Sequence, residues 1–203
     1  NWVSMTNKNR FFDAFVPKEE IKKEKPSALF VSKYVNGHYQ KIASLENDLM
    51  RVPTPEEFFF LQSDAAFNAF TFIPFVAKAH PIKELHASTY SISRKVIEAL
   101  VEMHDKGMIE QVTLLISDSM IKRNPVTIDY LMSVCASRAN FKALYAWSHA
   151  KVCLIRTHDF HFVIEGSGNW SENAYYEQYV FGNSKGLYDF RMELFTNSNL
   201  KKY

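Results

Sequence analysis

From Leu85 onward, apolar runs of two different periods alternate, and this alternation limits the possible folds more than any other feature of the chain. Leu85–Ile92 has the residue types of a strand. Arg94–Lys106 then places Val96, Ile97, Leu100, Val101 and His104 at helical spacing, and Gly107 supplies a helix-ending residue. Val112–Ile116 is apolar throughout except for Thr113, as expected of a strand covered on both faces. Ile128–Ala139 predicts a second helix and Phe141–Trp147 a third strand. A β-α-β-α-β order of this kind predicts an α/β sandwich built on a mixed sheet.

The residues before this region follow a different pattern. Residues 1–27 are rich in Asn, Lys and Glu, punctuated by Pro17 and Pro26. Ala28–Val35, Asn36-Gly37 and His38–Ala43 predict a β-hairpin, because Asn-Gly readily supplies the two positive-φ residues of a type I′ turn. Thr54-Pro55-Glu56-Glu57 predicts a helix start, with Thr54 as cap and Glu57 reaching back. Pro74 should interrupt the apolar run 58–75, giving one or two short helices. The chain therefore divides into an N-terminal extension, 1–50, carrying the hairpin at about 28–43, and a main domain, 51–203.

Composition narrows the class of protein. A chain of 203 residues with 47% hydrophobic and 15% aromatic residues, 17 of them Phe, can bury a large core. A formal charge of +2 announces no polyanion partner through the overall field. No run approaches a membrane span and no signal peptide is visible, so no membrane partner and a cytoplasmic location are expected. Cys135 and Cys153 lack metal-ligand spacing and read as buried free thiols of a reducing compartment.

The chemistry concentrates between Ser148 and Glu177. His149-Ala-Lys151 precedes an apolar hairpin-like run, and Gly166-Ser167-Gly168-Asn169 follows it. On a strand, the i, i+2 spacing would project His149 and Lys151 on one face, with Ala150 on the other. The Gly-Ser-Gly backbone allows close approach of amide groups to an anion.

His-x-Lys followed by Gly-Ser-x-Asn resembles the active-site motif of the phospholipase D superfamily, and Tyr90-Ser-Ile-Ser93 resembles the end of that family's first strand. The resemblance covers about residues 85–181. It implies a phospholipase D-like α/β/α sandwich with a mixed central sheet, here preceded by the small N-terminal hairpin extension. It also implies phosphodiester cleavage through a covalent phosphohistidine, without metal or other cofactor. His149 takes the nucleophile's place, Lys151 and Asn169 the places of donors to the nonbridging phosphate oxygens, and Ser167, with Gly166 and Gly168, a supporting place. Glu177 matches the acidic residue that orients the His, with Glu172 as the competing position.

The family pattern has an Asp five residues after the Lys, where this chain has Arg156. Counting back from Gly166 instead selects Asp159 as the retained Asp, in a hairpin about three residues longer. His104-Asp105-Lys106 repeats His-x-Lys, but it sits at a helix C-terminus, where cations complement the dipole. One motif supplies one His, and the reaction needs a second to protonate the leaving oxygen. A homodimer with both copies of the motif lining one cleft is therefore expected.

Bland readings stand beside these. His158, His161 and Asp159 read as polar turn residues rather than a metal site. Trp147, Trp170, Tyr175 and Tyr176 read mostly as core, with one exposed ring able to stack on a nucleobase. The leading function is a nuclease acting on DNA or RNA. The alternatives are an inactive module that binds nucleic acid or protein, which Arg156 favours, and a phospholipid-hydrolysing member.

Overall fold

The computed structural model describes residues 39–42, 49, 51–63, 69–171, 176–197 and 200–202. The strands are β1 (Tyr39–Ile42), β2 (Glu57–Ser63), β3 (Ile82–Thr89), β4 (Ile109–Ser117), β5 (Phe141–Ala146), β6 (Val152–Arg156), β7 (His161–Gly166), β8 (Glu177–Asn183) and β9 (Lys201–Lys202). The helices are α1 (Phe72–Ala77), α2 (Arg94–Asp105), α3 (Ser119–Arg123), α4 (Pro125–Ser137) and α5 (Lys185–Thr196), with a 3₁₀ turn at Ala69–Thr71. The nine strands of the described residues join one mixed sheet in the order β1-β2-β8-β7-β6-β3-β4-β5-β9. β3, β4 and β5 are mutually parallel, whereas β2, β8, β7, β6 and β3 pair antiparallel in succession.

Strand alternation divides the core into two layers. On one face Val112, Leu114 and Ile116 of β4 and Phe141 and Tyr145 of β5 are buried with Ile97, Leu100 and Met103 of α2 and Ile128, Leu131 and Val134 of α4. On the other, Leu115, Leu144, Val152, Leu154 and Val163 meet Tyr188 and Phe195 of α5. The molecule is thus the expected α/β/α sandwich. Local chemistry fixes the helix ends: Ser93 caps α2 through the Val96 amide at 3.4 Å, Gly107 terminates it at φ +72°, and Asn124 caps α4 through the Thr127 amide at 3.3 Å. His104 and Asp105 close α2, away from the Gly-Ser-x-Asn loop.

The helix expected at Thr54 is instead a strand. Half of a capping box does form: Glu57 accepts from the Thr54 amide at 2.5 Å, but the Thr54 hydroxyl donates to the same carboxylate at 2.9 Å and the Glu57 amide donates to the Thr54 carbonyl at 3.0 Å. Glu56, however, turns into the left-handed region at φ 61°. Arg51 then grips Glu57 through both carboxylate oxygens, at 2.5 and 2.7 Å. The chain leaves extended, and Phe58–Leu61 pairs with Val180 and its neighbours on β8, burying Phe59 and Leu61. Non-local pairing thus overrides a local signal. Pro74 does not break a helix either: it lies in the first turn of α1, where its missing N–H is one of the unpaired donors anyway. Of the expected hairpin, residues 39–42 form β1, parallel to β2. The arm 28–35 and the Asn36-Gly37 turn lie outside the described residues.

Candidate active site

The site lies where the carboxyl ends of β3, β4 and β5 meet the start of β6, the edge at which open α/β sheets bind ligands. His149 and Lys151 are not on a strand, as their spacing suggested; they occupy the stretch leading from β5 into β6. The turn holding them is built by hydrogen bonds: the Ser88 hydroxyl donates to the Ala150 carbonyl at 3.0 Å, and the Ala150 amide donates to Ser148 Oγ at 3.1 Å. Lys151 Nζ donates to the His149 carbonyl at 3.2 Å.

The β6–β7 hairpin folds Gly-Ser-x-Asn back onto His-x-Lys. Its register pairs Val152 with Glu165 and Arg156 with His161, and the Gly166 amide donates to the Lys151 carbonyl at 3.4 Å. Gly166 must be glycine for steric reasons. A Cβ there would lie within 2.5 Å of Tyr179 Cδ1 and closer still to the Gln178 carbonyl oxygen on β8. The β7–β8 pairing brings in Glu177: the Ser167 hydroxyl donates to its carboxylate, the Gln178 amide donates to Ser167 Oγ at 3.1 Å, and the Ser167 amide donates to the Gln178 carbonyl at 3.1 Å. Glu177 is buried and opens β8, and Gly168 is buried as well. Asn169 is carried by a loop clamped to the Tyr90–Ser93 segment. The Trp170 amide donates to the Ser91 carbonyl at 3.1 Å, the Trp170 carbonyl accepts from Ser93 at 2.9 Å, and the Ser91 and Ser171 hydroxyls lie 2.7 Å apart.

Asp159 is the candidate that the fold sends elsewhere. It occupies the tip of the β6–β7 hairpin, and β6 separates that tip from His149 by five strand residues, about 16 Å. There Asp159 accepts from His158 Nδ1 at 2.7 Å, while His161 packs edge-on against Tyr188, with centroids 5.1 Å apart. Among the described residues no group of three His, Cys, Asp or Glu is arranged to hold a metal ion. Arg156, which replaces the family Asp, forms an ion pair with Glu84, its direct partner on β3. That guanidinium holds the Glu84 carboxyl below its ordinary range. Glu172 and Tyr175 lie outside the described residues.

Sequence reasoning missed the ring and cation contacts around His149. The Tyr90 ring stacks on the His149 imidazole, with centroids 4.1 Å apart at 30°, and the Arg123 guanidinium lies over the Tyr90 ring at 4.5 Å. Trp147 approaches His149 edge-to-face at 6.2 Å and is 75% exposed, whereas Trp170 is 2% exposed and belongs to the core. The available signal was position: Tyr90 and Arg123 follow the carboxyl ends of β3 and β4.

A mixed sheet with helices on both faces, and His-x-Lys joined to Gly-Ser-x-Asn by a β-hairpin at its carboxyl edge, define a phospholipase D-like domain. The family model described as "Cardiolipin synthase, PLD-like domain" matches residues 73–181, more than half of the chain, and the chain belongs to that family. A polyphosphate kinase structure from Porphyromonas gingivalis is similar over 62% of this chain and 23% of that one, at 14% identity and a TM-score of 0.49. No curated protein matches the chain.

Proposed function

We propose that this protein is a metal-independent phosphodiesterase, and specifically a nuclease, that works through a phosphohistidine formed on His149 of a homodimer. The observation that carries the reading is the closure of the β6–β7 hairpin, which sets Gly166 against Lys151 and so joins the two halves of the motif. Family membership supports phosphodiester chemistry at the coarser level.

In this mechanism an imidazole nitrogen of His149 attacks phosphorus, forming an N–P bond as the P–O bond to the leaving group breaks. The second copy's His149 gives its proton to the departing oxygen. It then accepts a proton from water, whose oxygen attacks the phosphohistidine, breaks the N–P bond and regenerates neutral His149. Lys151 and the Asn169 amide stabilise the extra negative charge on the nonbridging oxygens. Glu177 holds Ser167 and, through it, the β7–β8 end of the site. Arg156 does not weaken this reading, because it is engaged with Glu84 on the sheet, remote from His149. Among the described residues no helix is long and apolar enough to cross a membrane, and Cys135 and Cys153 are unpaired thiols. Both features are compatible with a cytoplasmic enzyme.

The test is incubation with a labelled DNA and RNA panel in excess EDTA, with His149→Ala in parallel. Cleavage that the variant loses is the expected result. Inertness of the wild type toward every phosphodiester, phospholipid included, would leave the binding-module alternative in its place. Cleavage of phospholipid alone would replace the nuclease reading.

A further inference from the structure

We propose that Trp147 is a base-stacking platform and Arg123 a flanking-phosphate clamp, which together make the site selective for unpaired polynucleotide strands. The proposal rests on the phosphodiesterase reading of His149 and specifies its substrate.

Trp147 is 75% exposed, the most open of the large apolar side chains among the described residues, and stands two positions before the nucleophile. Its ring meets His149 edge-to-face at 6.2 Å and 68°, and its exposure presents the indole to solvent beside His149. The phosphorus attacked by His149 carries a nucleoside on each side, which brings one base within reach of that ring. In a duplex both faces of every base are taken by its neighbours. A single strand can turn a base out, and an aromatic ring accepts it with little regard to sequence.

Arg123 adds a second, independent observation. Its guanidinium is fixed by the Tyr90 ring at 4.5 Å and by two hydrogen bonds to Ser119 Oγ, at 3.3 and 3.2 Å. It therefore lies over the same ring that stacks on His149, preorganised on α3. A lone phosphodiester has nothing to offer a cation displaced from the reacting centre. A polynucleotide offers another phosphate at every step, and Arg is suited to grip it through two oxygens. The exposed groups around the nucleophile are thus aromatic and cationic, which suits a strand of bases and phosphates better than acyl chains.

The experiment compares wild type, Trp147→Phe, Trp147→Ala and Arg123→Gln in EDTA. The substrates are a single-stranded 20-mer, its duplex, the same strand with abasic nucleotides flanking the cleaved bond, and a dinucleoside monophosphate. Fluorescence anisotropy of the labelled strand reads binding without turnover. Trp147→Ala should weaken single-strand binding and kcat/KM by about 5- to 100-fold, the range for one lost base stack. Trp147→Phe should stay close to wild type, and the alanine variant should show no further loss on the abasic strand. Arg123→Gln should impair the 20-mer but spare the dinucleoside monophosphate, which has no flanking phosphate. Circular dichroism confirms that the variants fold.

Cleavage of duplex as fast as single strand, or a Trp147→Ala protein that binds and cuts like wild type, overturns the proposal. Either result leaves the phosphodiesterase reading intact as long as His149→Ala is dead. Conversely, Trp147-dependent anisotropy from a protein that cleaves nothing would support the platform while removing the enzyme. Trp147-dependent binding to phosphatidylglycerol vesicles with no effect on the oligonucleotide would assign the ring to a lipid surface and overturn the proposal as well.

Discussion

Replacing Gly166 by alanine tests the steric account of how the two motif halves meet. The new methyl would lie 2.5 Å from Tyr179 Cδ1 and closer to the Gln178 carbonyl, which is backbone and cannot swing away. β7 and β8 must then separate. Overpacking of this kind costs about 1–3 kcal/mol. Separation also strains the paired hydrogen bonds between Ser167 and Gln178, each worth about 0.5–1.5 kcal/mol. The expected loss is about 2–5 kcal/mol, which for a chain of this size lowers Tm by about 5–15 °C. Thermal unfolding followed by circular dichroism measures it. Gly186→Ala is the control: nothing lies within 4 Å of a Cβ there, and its place in the first turn of α5 predicts an unchanged or slightly higher Tm. A Gly166→Ala protein melting within a degree of wild type would refute the close-approach argument, and so would equal losses at both glycines.

Three further predictions follow from named contacts. Lys151→Ala should reduce kcat by about 10²–10³-fold while leaving Tm nearly unchanged, because among the described residues Lys151 donates to the neighbouring His149 carbonyl alone; EDTA-resistant cleavage assays paired with melts check this. Arg51, Thr54 and desolvation together set the Glu57 carboxyl at about 2, below the 4.5 of an unfolded chain, with the Arg51 hydrogen bonds the largest cause. Its stabilisation is therefore complete above pH 4.5 and disappears as pH falls toward 2. After allowance for the solvent around Arg51, Glu57→Gln should cost about 1–2 kcal/mol at pH 7 and nearly nothing at pH 2, as read by urea titration at both values. Restoring the family's carboxylate with Arg156→Asp should destabilise, because it faces Glu84 directly across β3 and β6; adding Glu84→Arg should recover most of the loss, a double-mutant cycle read by denaturation.

The parts of this protein that sequence alone determined are those whose signals are local. The 3.6-residue spacing of Val96, Ile97 and Leu100 specified α2, and Gly107 ended it because only a residue tolerant of positive φ continues the chain there. A largely apolar run specified β4, because both of its faces are covered by helices. The pairing of His149-x-Lys151 with Gly166-Ser-x-Asn169 identified the family, since a short hairpin is enough to bring the two together.

What only the tertiary structure decided depended on partners distant in sequence. Glu57–Ser63 follows the helix-start signal of Thr54–Glu57, yet β8 supplies a ladder of pairings that a helix would forgo, so it became a strand. Asp159 fits the motif when residues are counted back from Gly166, but counting does not reveal which end of a hairpin a residue occupies; the register of β6 against β7 puts it at the far tip. Tyr90 and Arg123 stand 33 residues apart and carry no shared motif. The parallel β3–β4 pairing places their strand ends side by side, and that juxtaposition builds the stack on His149. Local periodicity is written into the chain residue by residue, whereas strand register emerges only when the whole sheet closes.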